Sequence, residues 1–208
     1  MVGDIQKLTD RLKELKYIQK KLATIIAEYE DTYDTRKLVE KIDNDEKLLT
    51  AIKQHLIDII RYDIYSLKDY INLFDNFTIT IHISKLLKDT LDAVTIKKEM
   101  LSKEITKKFI EKGNTILAKV IEDINYWTWN ISPTTPCETY TSYNTKSLYK
   151  AAVDFATDYL YSSYNTRLED LEILKIMPNE IYNKFDEKYH EWLEKIIAKL
   201  CKEDDENE

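Results

Sequence analysis

The sequence predicts an all-α protein, a bundle of about five long amphipathic helices that opens with an N-terminal coiled-coil-like hairpin. Three observations carry this expectation. Apolar residues recur at steps of three, four and seven along most of the chain. Gly occurs twice and Pro three times in 208 residues, whereas sheets, tight turns and phosphate-cradling loops draw on both. A single stretch joins Pro to a cluster of Thr and Ser.

The first helix starts near Asp4, a candidate N-cap, and its seam runs through Ile5, Leu8, Leu12, Leu15, Leu22, Ile26, Tyr29 and Tyr33. Gln19 is the one polar seam position. In a coiled coil such a residue fixes register or partner number, and in a bundle it faces a wet edge. The stripe breaks between Asp31 and Thr35. Asp34 or Thr35 can cap a second helix carrying Leu38, Ile42, Leu49, Ile52, Leu56, Ile59, Leu67, Ile71 and Phe74. Asp43, Asn44 and Asp45 compete locally for backbone bonds and mark an interruption of that helix. They lack the ligand spacing and the Gly of a calcium loop, so capping is their expected role.

Residues 77–83 alternate apolar and polar, the one strand-like run. A lone strand has no partner, so an extended connector is expected, or the deformed start of a third helix capped by Ser84. From Ser84 to about Trp127, helical periodicity passes through Leu87, Leu91, Val94, Leu101, Ile105, Phe109, Ile116, Val120 and Ile124. Unbroken, it would span roughly 66 Å. Gly113-Asn114-Thr115 suggests a break, with Gly113 as a left-handed C-terminal cap.

Asn130 to Asn144 reads as a loop, because Pro133 and Pro136 forbid a helix interior. Asn144 or Thr145 then caps a helix with Leu148, Ala152, Phe155 and Tyr159, which Leu168, Leu171 and Leu174 continue to Pro178. The last helix begins near Asn179 and carries Tyr182, Phe185, Tyr189, Trp192, Ile196 and Leu200. The expected organisation is a long hairpin and third helix over 1–128, a Pro/Thr/Tyr-rich loop over 129–145, C-terminal helices of the same bundle over 146–202, and an acidic tail over 203–208 that frays.

Composition narrows function. A formal charge of −7 argues against unaided binding to phosphate backbones. Nucleic acid is admissible only through a local lysine face, for which Lys103, Lys107 and Lys108 are the candidates, interleaved with Glu99, Glu104 and Glu111. Cys137 and Cys201 are too few for a disulfide framework or zinc knuckle and fit a reducing cytosol, with Cys201 as a small core residue. Met1 to Leu15 lacks the apolar stretch of a signal peptide, and no run nears the roughly 20 apolar residues of a membrane span. No membrane association is expected, and the expected location is the cytoplasm, or a host's if the chain is viral. Few Gln and many Lys, Glu, Ile and Tyr resemble hyperthermophile usage, which points to a thermophilic archaeon or its virus, while an AT-rich genome would produce a similar bias.

No catalytic constellation is complete in the sequence. Glu187, His190 and Glu194 share one side of a helix, and Glu187-Lys-Tyr-His190 has the form used in carboxylate-bridged di-iron bundles. Such bundles need two such motifs, and neither His55 nor His82 follows a Glu by three, so a solvated face without metal is expected. Glu169-Asp-Leu-Glu172, Glu191-Trp-Leu-Glu194 and Glu40-Lys-Ile-Asp43 have the order and spacing wrong for a helical pyrophosphatase. No Arg precedes a His at the spacing of a helical HEPN ribonuclease. No cofactor is implied.

Aromatic density is the feature least like a generic bundle: Tyr126, Trp127 and Trp129, then Tyr140, Tyr143 and Tyr149, with Tyr159, Tyr161 and Tyr164 beyond. Rings offer large contact area at low entropic cost, and interfaces enrich them. Lys146, Lys150 and Arg167 are too thin a basic supply for stacking on bases. The expected function is that of a non-enzymatic helical interaction or scaffold protein in a protein complex or oligomer. The alternative is a helical accessory subunit of a nucleic-acid-processing complex, and a metal-dependent helical-bundle enzyme stands third.

Overall fold

The computed structural model describes residues 2–60, 66–68, 79–131, 135–157 and 164–205, and among them eight α-helices and no strand. In chain order these are α1 (Val2–Thr32), α2 (Thr35–Asp43), α3 (Glu46–Ile60), α4 (Ile79–Asn130), α5 (Pro136–Asn144), α6 (Leu148–Thr157), α7 (Leu168–Ile176) and α8 (Asn179–Asp205). The fold is all-α. Three helices are long, with 31, 52 and 27 residues, and the other five have 9 to 15. The chain divides into two compact units, Asp4–Ile105 and the part from Thr106 onward, with α4 contributing to both.

In the first unit, α1 ends at Thr32 and Tyr33 takes a left-handed φ of 51°. Asp34 caps α2 by accepting the Lys37 N–H at 3.0 Å. The cluster at 43–45 interrupts the helix, as its side chains predict. Asp45 accepts the Leu48 N–H at 3.2 Å to start α3, and Asp43 accepts the Leu67 N–H at 2.8 Å. Leu15, Ile18, Leu22, Leu38, Ile42, Ile52, Leu56, Leu67, Ile83, Leu87 and Val94 form one core. Gln19 is half-buried at the edge of this core and has partners on α4. Its Nε2 donates to Thr95 Oγ1 at 2.8 Å, and Lys98 Nζ donates to its Oε1 at 2.9 Å, so it sets the register of α1 on α4.

Two expectations about α4 fail. The helix already begins at Ile79, so residues 79–83 are neither extended nor capped by Ser84; Thr78 and Phe77 lie outside the described residues, as do Ile71 and Phe74. β-branched alternation mimics a strand, but Ile83, Leu87 and Val94 on one helical face bury more apolar surface. Nor does α4 break at Gly113. There the helix is continuous, and a Cβ on residue 113 would overlap the Phe185 ring. Gly113 serves close approach, not a turn.

The second unit overturns further readings. The segment taken as a loop contains α5, whose N-cap is Thr135 and whose first turn holds Pro136. Proline breaks a helix interior but suits the first turn, where no N–H partner is needed. Leu168, Leu171 and Leu174 belong to the separate helix α7. Cys137 and Cys201 are joined by a disulfide with Cα atoms 5.5 Å apart, so they are not free thiols and their pairing removes the argument for a reducing compartment. Asp123, buried on α4, accepts the N–H groups of Asn165 and Thr166, each at 2.8 Å. Asp170 accepts the Arg167 N–H at 2.9 Å and Lys119 Nζ at 2.7 Å.

Alanine normally stabilises a helix over glycine by roughly 1 kcal/mol. At Gly113 the opposite sign is expected: Gly113→Ala overpacks Phe185 and lowers stability by about 1–3 kcal/mol in denaturant unfolding, and the loss shrinks in a Phe185→Leu background. The disulfide spans a sequence separation of 64. Cys137→Ser, or a reductant, lowers unfolding stability by about 4 kcal/mol, and an unchanged denaturation midpoint with and without reductant would exclude that contribution.

Candidate aromatic interaction site

The six aromatics singled out by sequence differ in exposure. Tyr140 is buried, donates its hydroxyl to Asn125 Oδ1 at 2.6 Å, and meets Trp192 edge-on at 6.0 Å. Tyr143 is buried and stacks on Phe155 at 5.7 Å, while its carbonyl accepts the Tyr189 hydroxyl at 3.2 Å. Tyr149 is half-buried, and its N–H donates to Tyr182 Oη at 3.2 Å. The Tyr140 ring is taken up by packing, which corrects its assignment to a partner surface, whereas Tyr143 also lines a cleft.

Tyr126 and Trp129 are the exposed pair, at 44% and 61%. The helical period explains the contrast. Asp123, Ile124 and Thr128 turn inward from α4, and residues 126 and 129 fall on the opposite side. Trp127 is half-buried and points into a cleft that it lines with Ser142, Tyr143, Lys146, Asp154, Phe155 and Tyr164.

In that cleft the rings form a ladder. Phe155 stacks on Tyr143 at an interplanar angle of 15° and meets Tyr164 edge-on at 4.9 Å. Lys146 Nζ lies 4.6 Å from the Tyr143 ring centroid and 2.7 Å from Asp154 Oδ2. Sequence reasoning missed Asp154, Phe155 and Ser142, because a pair eight residues apart across a helix start has no periodic signature.

The elements are held from α8. The first N–H groups of α6, which no turn of its own helix can satisfy, find α8 instead: Leu148 donates to Asp186 Oδ1 at 2.7 Å and Tyr149 to Tyr182. Burial is the main force on the tyrosine hydroxyls. It pushes the Tyr189 ionisation far above the usual range, with Tyr143, Asp186 and Asp154 adding to it. Burial also raises Tyr140, against opposing hydrogen bonds from Thr128 and Trp129, and it raises Tyr182.

The other candidates lie elsewhere. Glu187 and Glu194 are exposed, and His190 Nδ1 donates to the Asp186 carbonyl at 2.8 Å. Among the described residues no three His, Cys, Asp or Glu side chains converge on a metal position. Lys103 and Lys107 are exposed on α4, Lys108 is half-buried, and Lys107 pairs with Glu111 at 3.9 Å. Among the described residues no helix is long and apolar enough to cross a membrane. Compared with family models, curated proteins and solved structures, the chain matches none of them.

A tyrosine in the unfolded chain ionises near 10.0, whereas the hydroxyls of buried Tyr140 and Tyr189 and of half-buried Tyr182 keep their protons higher. Their stabilising contribution is therefore complete below pH of about 10 and is lost as pH rises from there through the folded-state values. Ultraviolet phenolate titration should show the last phenolate, that of Tyr189, forming only together with loss of helix; its formation with the helical spectrum intact would contradict its burial.

Proposed function

We propose that this chain is a non-enzymatic helical interaction protein that acts within a protein complex or as an oligomer. The supporting observation is the exposed pair Tyr126 and Trp129, carried on a helix whose opposite side is packed. Aromatic anchors of this kind dominate binding energy where interfaces have been dissected.

A cytoplasmic setting belongs to the same proposal. The disulfide bears against it in most organisms but not in hyperthermophiles, whose intracellular proteins carry disulfides. That agrees with the Lys- and Glu-rich composition and with a thermophilic archaeal or viral source.

The test is a paired measurement on wild type and on Tyr126→Ala with Trp129→Ala: sedimentation for self-association, and capture of partners from the native source. The variant, with its helical spectrum retained, should lose the oligomer or partner with a weakening of at least ten-fold, as for interface anchors worth about 2 kcal/mol each. Unchanged association would refute the reading. Tight duplex-DNA binding at physiological salt, abolished when Lys103, Lys107 and Lys108 become Glu, would replace it with a nucleic-acid-binding role.

A further inference from the structure

The cleft lined by Trp127, Ser142, Tyr143, Lys146, Asp154, Phe155 and Tyr164 already holds a cation, and that cation is the chain's own. Lys146 follows α5, and its ammonium lies against the Tyr143 face and the Asp154 carboxylate together. Aromatic faces carry negative potential, so a ring face beside a carboxylate is the chemistry that recognises an ammonium group. Phe155 stacks on the Tyr143 ring, and Tyr164 meets Phe155 edge-on.

The occupant is loosely held. The side chains of Lys146 and Asp154 are 36% and 39% exposed, a setting in which ion pairs contribute little to stability. The rings of Tyr143, Phe155 and Tyr164 beside it are buried.

We propose that this cleft is an ammonium-binding site closed by Lys146, and that a lysine side chain of a partner protein takes its place. The site names a partner group for the interaction reading and rests on that reading only in assigning the lysine to a protein. Lys146 acts as a tethered competitor. Its effective concentration beside the cleft is high because a short segment ties it there, and an incoming ammonium sees the site at reduced affinity.

The probe is n-butylammonium, which copies the lysine stem and charge, followed by ligand-observed NMR on the full chain. Lys146→Ala should bind it about ten-fold more tightly than wild type, the factor expected if the cleft is open about a tenth of the time. Adding Asp154→Asn should abolish that binding, and neutral n-butanol should not bind. A short lysine peptide should compete, and its Nε-acetylated form should not.

Absence of saturable butylammonium binding in Lys146→Ala overturns the site, and equal binding of butanol reduces it to an apolar cleft. Failure of the lysine peptide alone overturns the protein source and leaves a small amine. If Lys146→Ala loses its helical spectrum, Lys146→Met, which keeps the stem, is judged by the same outcomes. Butylammonium binding that persists in the Tyr126→Ala, Trp129→Ala variant keeps this result separate from partner loss at the exposed face.

Discussion

The missing side chain at Gly113 is the constraint on which the second unit depends. Without a Cβ there, the Phe185 ring lies directly on α4, and that contact fixes which residues of α8 face inward. Asp186 and Tyr182 then reach the open N–H groups of α6. One turn later Tyr189 reaches the last turn of α5 at the Tyr143 carbonyl, and Trp192 meets Tyr140. Near the end of the same helix Cys201 is bonded to Cys137. A slip of α8 by one residue would rotate it by about 100° and undo all of these at once.

Two carboxylates buried in this unit, Asp123 and Asp170, have partners that stand in for regular backbone bonding. Asp123 supplies acceptors to two N–H groups in the non-helical residues before α7, and Asp170 supplies one to Arg167 while neutralising Lys119. A buried carboxylate without such partners would cost several kcal/mol. The irregular segment 164–167 is thus placed by side chains of its neighbours rather than by any pattern of its own. The same holds in the first unit, where Asp43 and Asp45 place Leu67 and the start of α3.

Periodicity made α1, most of α4 and α8 legible, because burying one stripe of a helix leaves a trace every three or four residues. The caps at Asp34 and within 43–45 were legible for the same local reason. What escaped depends on partners distant in sequence. Gly113 has the same letter whether it ends a helix or admits a ring, and only Phe185 decides between them. Pro136 forbids a helix interior and equally opens a helix, and the two cysteines gave no sign of their proximity across 64 positions. In the candidate site, residue type could not separate Tyr140 and Tyr143, which pack, from Tyr126 and Trp129, which are exposed. Position on α4 relative to the buried Asp123 and Ile124 separates them.

The bridge between Cys137 and Cys201 also changes how the chain carries load and damage. It closes α5, α6, α7 and most of α8 into one covalent ring. Tension applied beyond Cys201 passes through sulfur to the start of α5 and bypasses everything between. A single cut of the backbone inside the ring releases no fragment, so cleavage there would leave both pieces tethered, with Tyr140, Tyr143, Tyr189 and Trp192 still held in reach of one another.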